Sequence, residues 1–425
     1  MMGRLLTLFA AVLSAWCADL PQTLTLRQAE AAALSNHPRI SAAQLEAEAA
    51  RRQVTEIRSS LYPAVTANLT GAGAGDKARI AAGALNNPII YSRAAAGFTA
   101  SQLLYDFGRT GDLASSYRFN AIAQQDLAHA TQADIALAVR AAYFRALRAQ
   151  SVLTVASETV NARQVVADQV HALAASKLKS GLDVSFADVN LSEARLLLVS
   201  ARNNVDAAFA DLSAAMGLAS PAAFTLVDEP MPPAPPDDFR GILESAIRQR
   251  PELEALRARQ EAALKLFQSE KNLWLPTVSA VTTMGVIPGH SDLLPGKYAA
   301  AGLNISVPVF NGHLFSARRE EADLRARAAA ARVQDQQLSI MRDLRASWLR
   351  AQDAFQRLDL TRQLYEQSRQ ALDLAQARYH IGLSSMVELS QAQLSLTSAQ
   401  IAQASARYDY QLRHSELLYQ MGELH

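Results

Sequence analysis

Two kinds of hydrophobic periodicity alternate along this chain, and the clearest is helical. After Gly181, apolar positions recur at alternating spacings of three and four, and every second one is alanine. They are Val184, Ala187, Leu191, Ala194, Leu198, Ala201, Val205, Ala208, Leu212 and Ala215. This spacing is typical of a coiled-coil seam. Because small seam residues let two backbones approach closely, the pattern predicts a helix that folds back antiparallel on the preceding helix.

Proline, the strongest helix breaker, is absent from two long parts of the chain. No proline lies between Pro88 and Pro221, and none follows Pro308. The first part predicts a helix from about Asp112 to Ser180, which would be roughly 100 Å long, more than an ordinary globular domain can contain. The second part holds a looser seam, formed by Leu389, Ala392, Leu396, Ala399, Gln403, Ala406 and Tyr410.

The glycines indicate an internal duplication. Gly181 follows Gly111 by 70 residues (181 − 111 = 70), and Gly382 follows Gly312 by the same number (382 − 312 = 70). Other motifs recur as His37-Pro38 with Arg250-Pro251, shifted by 213, and as Met216-Gly217 with Met421-Gly422, shifted by 205. The two halves are therefore copies of one unit.

The repeats and their flanks predict four segments. Residues 1–18 form a secretory signal, residues 19–218 the first repeat, residues 219–238 a linker and residues 239–425 the second repeat. Each repeat is expected to contain short helices, two strands and a long helical hairpin. The linker is expected to be stiff and extended because it holds six prolines, namely Pro221, Pro230, Pro232, Pro233, Pro235 and Pro236.

Where glycine and proline cluster, the hydrophobic period changes to two and predicts four strands. The alternating apolar positions are Val65, Ala67 and Leu69, then Phe98 and Ala100, then Val278 and Ala280, and finally Leu303, Ile305 and Val307. Strands of about 9 to 11 residues with one apolar face suit a membrane barrel. Since four strands cannot close one, several chains would have to contribute. The alternative is a soluble coiled-coil protein with two small hairpin domains.

The first residues have the pattern of an export signal. Arg4 precedes an apolar run from Leu5 to Leu13, and cleavage is expected near Cys17 or Ala18. A lipid anchor on Cys17 is the alternative, although the preceding tryptophan suits lipoprotein processing badly. After residue 18 no stretch of about 18 uninterrupted apolar residues occurs, so a membrane crossing would need a barrel.

Composition and charge exclude several classes of function. The chain has 41 Lys and Arg against 40 Asp and Glu, so no net field attracts nucleic acid. Its single cysteine excludes internal disulfides and thiolate zinc sites. The glycine-rich run from Gly71 to Lys77 lacks phosphate-loop spacing, and the histidines lack the i, i+4 pairing of a helical zinc site. We therefore expect no catalytic residues, no cofactor, no metal and no enzyme activity.

With these features the chain resembles the TolC-like outer-membrane efflux family over essentially its whole mature length. The motifs that carry the resemblance are Leu24-Thr25-Leu26-Arg27-Gln28-Ala29, Asn36-His37-Pro38, Leu61-Tyr62-Pro63, Leu104-Tyr105-Asp106-Phe107-Gly108-Arg109, Val309-Phe310-Asn311-Gly312 and Ala201-Arg202-Asn203-Asn204. No single motif is very specific, but their order and spacing, twice over, are.

The resemblance implies a mainly α chain with a small transmembrane β part. Three chains would form a twelve-stranded outer-membrane barrel, and antiparallel coiled-coil hairpins would continue it as an α-helical tunnel through the periplasm of a Gram-negative bacterium. Its partners would be the other two copies, outer-membrane lipid, a periplasmic adaptor (membrane fusion protein) and an inner-membrane pump or ABC transporter of an efflux or type I secretion system. The alternative is a periplasmic coiled-coil adaptor or scaffold, which would normally have one hairpin.

The resemblance also assigns roles to the two hairpin turns. Adaptor contacts are expected at Lys179, Ser180, Gly181, Leu182, Ile381, Gly382 and Leu383. The candidates for the pore and gate are Glu388, Asp183, Tyr379 and Gln391. Gln391 stands where the family has a second acid and Ser384 where it has an arginine, which argues against a salt-bridged lock.

Two hypotheses remain open for the acids. Glu388 and Asp183 either only begin their helices, where a carboxylate suits the free N–H groups, or also ring the pore. The first turn is four residues shorter than the second between glycine and acid, since 183 − 181 = 2 and 388 − 382 = 6. We therefore expect tips of different shape and unequal adaptor contacts.

Overall fold

The computed structural model describes residues 23–73, 75, 92–220, 224–290 and 295–424. The predicted signal segment, Cys17 and part of the glycine-rich loop, including Asp76 and Lys77, lie outside these residues. The helices are α1 (Leu26–Asn36), α2 (Pro38–Ser59), α3 (Arg109–Ala175), α4 (Gly181–Ala215), α5 (Phe239–Gln249), α6 (Pro251–Lys271), α7 (Leu314–His380) and α8 (Met386–Met421). The strands are β1 (Thr23–Leu24), β2 (Ala64–Ala72), β3 (Arg93–Tyr105), β4 (Thr225–Leu226), β5 (Thr277–His290) and β6 (Lys297–Ser306).

The same elements occur twice in the same order. Helices α1 and α5 both have 11 residues and begin 213 positions apart (239 − 26 = 213). Helices α3 and α7 both have 67 residues and begin 205 positions apart (314 − 109 = 205). The predicted duplication is confirmed. The predicted bounds of the first long helix were wrong at its end, because α3 stops at Ala175 rather than Ser180.

The seam predicted for α4 is the face that the helix buries. Ala187, Leu191, Ala194, Ala201 and Leu212 are buried, and the other seam positions are half-buried. Helix α4 runs antiparallel to α3, as the side-chain pairs His171 with Asp188 and Gln164 with Arg195 show. Alternating spacings of three and four keep these positions on one side of a helix, which explains why the sequence pattern predicted them correctly.

The strands β2, β3, β5 and β6 form one antiparallel sheet in the order β2-β3-β5-β6. Its register places apolar residues opposite one another, since Val278 pairs with Ile305 and Ala280 with Leu303. Ser279 pairs with Asn304 on the other face. The four predicted strands and their alternation are confirmed. Among the described residues, β2 and β6 are the edges of this sheet.

The ring of Tyr298 lies over two glycines on neighbouring strands. Gly97 of β3 pairs with Gly285 of β5, which pairs in turn with Tyr298 of β6. A Cβ atom at Gly97 would lie 2.2 Å from Tyr298 Oη and 2.6 Å from the carbonyl oxygen of Met284. Only glycine fits at this position, because a real Cβ needs more than 3 Å from such atoms.

The described residues divide into two compact units. One is drawn from those within Met1–Ala42, His129–Arg250 and Leu338–His425, and the other from those within Ala43–Ala128 and Pro251–Gln337. The second unit contains the four-stranded sheet and helices that contact one another. Ser116 Oγ of α3 donates a 2.7 Å hydrogen bond to the carbonyl oxygen of Ala262 in α6.

The main core of the first unit surrounds the buried side chain of Tyr143. Its hydroxyl lies 2.6 Å from the carbonyl oxygen of Val227 and 2.9 Å from that of Leu24, next to the parallel pair of β1 and β4. Burial, followed by the charge of Glu229, raises the pKa of Tyr143 to about 12. The hydroxyl therefore stays protonated and ties α3 to β1 and to Val227, the residue that follows β4.

The proline-rich segment before α5 is held by side chains of α7 and α8. Residues 227–236 have no regular secondary structure. Trp348 Nε1 donates a 2.7 Å hydrogen bond to the carbonyl oxygen of Pro236, and the Tyr410 hydroxyl donates to that of Pro233. These bonds satisfy backbone oxygens that an extended proline-rich segment cannot pair by itself. None of the described helices combines the length and apolar character needed to span a bilayer.

Candidate functional site at the hairpin tips

The two hairpin turns have the same backbone conformation. After α3, Lys177 takes a left-handed φ of 62°, and after α7, Gly382 takes one of 79°. The Leu178 amide donates to the carbonyl oxygen of Leu173 at 2.9 Å, and the Leu383 amide donates to that of Arg378 at 2.8 Å. Both turns are Schellman motifs, which satisfy the last carbonyl groups of a helix.

This equivalence corrects the predicted difference in turn length. Lys177 matches Gly382 at the shift of 205 that relates the long helices (382 − 177 = 205). Each acid follows its left-handed residue by six positions, since 183 − 177 = 6 and 388 − 382 = 6. The expectation of a shorter first turn was wrong because it matched Gly181 to Gly382. Gly181 is instead the first residue of α4.

Serine side chains cap the helices that follow the turns. Ser180 Oγ accepts the Asp183 amide at 3.2 Å, and the Asp183 carboxylate accepts the Ser180 amide at 3.1 Å, which completes a capping box. Ser385 Oγ accepts the Glu388 amide at 3.3 Å. Both predicted acids therefore lie in the first turn of a helix, where a carboxylate is favourable.

The two acids differ in their further contacts. The Glu388 carboxylate lies 3.4 Å from a guanidinium nitrogen of Arg378 on the same hairpin, and both side chains are about half exposed. The Asp183 carboxylate instead accepts the Ser180 amide in the capping box. Gln391, one turn beyond Glu388, is exposed.

Tyr379 is buried where the two hairpins meet. It packs in a cluster with Ala167, Val170, Ala187, Leu191, Met386 and Leu389. Its hydroxyl has no hydrogen-bond partner among the described residues, and the same holds for Ser384 Oγ. The ammonium of Lys179, from the first turn, lies 3.8 Å from the centre of the Tyr379 ring. This cation–π contact joins the first tip to the second.

Apolar side chains project from both tips into solvent. Leu178 and Leu182 of the first tip are 72% and 66% exposed, and Ile381 and Leu383 of the second are 71% and 68% exposed. Of the other predicted contact residues, Ser180, Gly181 and Gly382 are exposed and Lys179 is half-buried. Apolar side chains grouped in this way are typical of a surface that binds another protein.

Comparison with known proteins identifies the family. The profile described as "Outer membrane efflux protein" matches residues 31–218 and 242–423. The chain belongs to this outer membrane efflux protein family. Its members are outer-membrane proteins that extend into the periplasm, and this location applies to the chain. The first matched range begins within α1 and the second within α5, the corresponding helices of the two repeats.

Relatives agree with the family assignment. The chain is 23% identical over 437 residues to "Outer membrane protein TolC" of Salmonella enteritidis, covering 100% of this chain and 87% of that protein. A membrane protein from Pseudomonas aeruginosa has the same fold, with a TM-score of 0.81, 20% identity and 93% coverage of both chains. The outer-membrane channel OprN matches with a TM-score of 0.82 and 20% identity, covering 93% of this chain and 89% of that one.

Sequence reasoning about this efflux-family chain missed two residues at the tips. Lys177 was not recognised as the left-handed residue, although the shift of 205 seen in Met216-Gly217 and Met421-Gly422 would have matched it to Gly382. Arg378 was not recognised as the partner of Glu388. The spacing of ten residues across a turn gives no periodic signal for such a pair.

Proposed function

We propose that the chain is the outer-membrane exit duct of a tripartite efflux or secretion system. In this proposal three copies form a passive channel that carries substrates from a periplasmic adaptor and an inner-membrane pump to the outside. The chain itself catalyses no reaction. The family and the location support the duct, and the two equivalent hairpins argue against a periplasmic adaptor with a single hairpin.

The observation that best supports a trimer is the open four-stranded sheet. Its edge strands β2 and β6 have 9 and 10 residues, and its apolar face includes exposed side chains such as Leu69 and Leu303. An open sheet in lipid leaves backbone groups unpaired at both edges. Pairing β2 of one copy with β6 of the next would satisfy them, and three copies would give about twelve strands, enough to close a barrel.

Native mass and gel mobility test this proposal. The protein is extracted from outer membranes in detergent, and its mass is measured before and after boiling. We expect a trimer that converts to monomer only on heating. A monomer or dimer in the soluble periplasmic fraction would overturn the duct and favour a coiled-coil scaffold.

We further propose that the tips bind the adaptor and form the gate. The four exposed apolar side chains at the tips supply the docking contact. Three copies of Glu388 at the periplasmic entrance would concentrate cations, because like charges converge in a narrow mouth. The contact of Lys179 with Tyr379 would hold the two hairpins of one copy together in the closed state.

A further inference from the structure

An arginine is buried between helices, well away from the tips. Arg163 of α3 is only 7% exposed. One of its terminal nitrogens donates to Oε1 of Gln393 on α8, a neutral side chain. Burial lowers the pKa of Arg163, and the charge of Glu193 opposes that shift without removing it. A guanidinium stays charged in proteins, so this burial places a positive charge out of water.

Arg163 forms no ion pair within the described parts of the chain. Two carboxylates are near enough to matter. Glu193 acts on it electrostatically, and Glu158, which is exposed, lies at the wall of the adjoining cavity. A buried charge that lacks a directly bonded counter-charge is unfavourable, because the loss of hydration is not repaid. We therefore expect a negatively charged group beside Arg163 that compensates the charge of its guanidinium.

A cavity of about 150 Å³ lies beside the guanidinium. Its polar lining comprises Glu158, Thr159, Arg163, Gln376, Gln393, Thr397 and Gln400. The two threonine hydroxyls donate to helix carbonyl groups, at 2.7 Å for Thr159 and 3.1 Å for Thr397. The remaining donors are the guanidinium and the side-chain amides of glutamine. Since a water molecule occupies about 30 Å³, the cavity has room for a small ion and a few waters.

We propose that this cavity binds a small monovalent anion, with chloride as the physiological occupant. The guanidinium of Arg163 supplies the charge, and the amide groups of Gln376 and Gln400 supply further donors. Because the lining comes from α3, α7 and α8, the bound anion ties the first hairpin to the second. This anion site is independent of the exit-duct proposal, since it needs only the fold of one chain.

Bromide is the probe for the position of the site. Crystals of the full-length protein in detergent are soaked in sodium bromide, and anomalous scattering is measured at the bromine edge. We expect a peak beside Arg163 in the native protein and none in Arg163→Met. A cavity with water density alone, or bromide only at surface arginines, would overturn the proposal.

The stability of the detergent-purified protein tests the site in solution. Chloride replaces gluconate at constant ionic strength, and the unfolding midpoint is followed. We expect a saturable rise of about 2 °C that is absent in Arg163→Met. Arg195→Met is the matched control, because Arg195 is exposed and donates to a neutral glutamine, Gln164, at 2.8 Å. It should keep the chloride response. Equal midpoints of the native protein in the two salts would overturn the proposal.

Glu158→Gln keeps the test valid if Arg163→Met does not fold. The substitution removes a negative charge from the cavity wall, so the chloride concentration at half-maximal stabilisation should fall at least about threefold. If Glu158 itself were the counter-charge of Arg163, the same substitution would create a chloride response where the native protein has none. That result would overturn the proposal of a native anion site.

Discussion

Lys177 and Gly382 occupy the same position in the two hairpin turns, and only the glycine suits it. Each takes the left-handed conformation after a helix of 67 residues, with φ of 62° and 79°. In that conformation the Cβ of an L-residue approaches the following carbonyl oxygen, which costs about 1 kcal/mol. The first hairpin therefore contains strain that the second lacks.

Replacing the strained lysine should stabilise the protein. We expect Lys177→Gly to raise the free energy of unfolding by about 1 kcal/mol and Gly382→Ala to lower it by about the same amount. Thermal unfolding of the detergent-purified protein measures both. Gly181→Ala is the control, because Gly181 begins a helix with open space around its Cα, and the substitution should be neutral or slightly stabilising. Destabilisation by Lys177→Gly would show that the lysine side chain makes an essential contact.

The sequence predicted the parts of this fold that depend on periodicity. The seam of α4, including Leu191 and Leu212, and the paired apolar positions of the sheet follow directly from spacings of three and four or of two. The predicted difference between the two turns was wrong because Gly181 and Gly382 have different roles. Gly382 supplies a left-handed φ, whereas Gly181 is an ordinary helix residue, and a lysine gives no sign that it will adopt such a conformation.

Contacts between distant side chains could not be predicted from pattern. The burial of Arg163 and the stacking of Lys179 on Tyr379 depend on the relative rotation of whole helices. Rotating a helix by the angle between two successive residues exposes one side chain and buries its neighbour. No local spacing in the sequence determines that rotation. The roles of Asp183, Glu388 and Gln391 in a pore stay predictions, because a pore depends on how several copies of the chain come together.

The buried hydroxyl of Tyr379 should be dispensable for stability. It has no partner among the described residues, and an unsatisfied buried hydroxyl costs about 1–3 kcal/mol. We expect Tyr379→Phe to leave the unfolding midpoint unchanged or to raise it. Tyr379→Ala should lower stability by about 3–5 kcal/mol, because it empties the cluster around the ring. A large loss in Tyr379→Phe would mean that the hydroxyl finds a partner in the assembled channel.

Arg378 and Glu388 should have opposite effects on ion selectivity. Their groups lie 3.4 Å apart, so the arginine offsets part of the carboxylate charge. In planar bilayers we expect Glu388→Gln to reduce the preference for cations and Arg378→Gln to increase it. Glu366→Gln, on the same hairpin but away from the turn, is the control and should change little. Unchanged selectivity in both tip variants would exclude a pore role for Glu388.

Adaptor docking should depend on the apolar side chains at the tips and not on equally exposed ones elsewhere. We expect Leu182→Asp and Leu383→Asp to abolish crosslinking of the purified channel to its adaptor. Leu196→Asp and Leu374→Asp are matched controls. Leu182 and Leu196 are 66% and 68% exposed, and Leu383 and Leu374 are 68% and 67% exposed. Equal losses in the controls would place the contact along the helices rather than at the tips.

The two tips should still differ in salt dependence. Their turns have one length and one conformation, which removes the reason for which unequal contacts were expected. What distinguishes them is charge, since the first turn carries Lys177 and Lys179 where the second has Gly382 and Ser384. We expect crosslinks through the first tip to weaken more with added salt, because exposed charges are screened. The same salt response at both tips would argue that the lysines do not contact the adaptor.

The close approach of Gly97 to the carbonyl oxygen of Met284 on the neighbouring strand should control assembly of the sheet. A methyl group at Gly97 would meet the tyrosine ring, which can move, and the carbonyl oxygen of Met284 at 2.6 Å, which cannot move without distorting the sheet. We expect Gly97→Ala to reduce the yield of heat-resistant trimer in outer membranes severalfold, and adding Tyr298→Ala to restore little of it.

Gly302→Ala in β6 is the matched control, because a Cβ there meets nothing within 4 Å. An added methyl group raises β propensity in both variants. If Gly302→Ala assembles normally and Gly97→Ala does not, the defect comes from the close contact between strands at Gly97. Rescue by Tyr298→Ala would instead assign it to the ring.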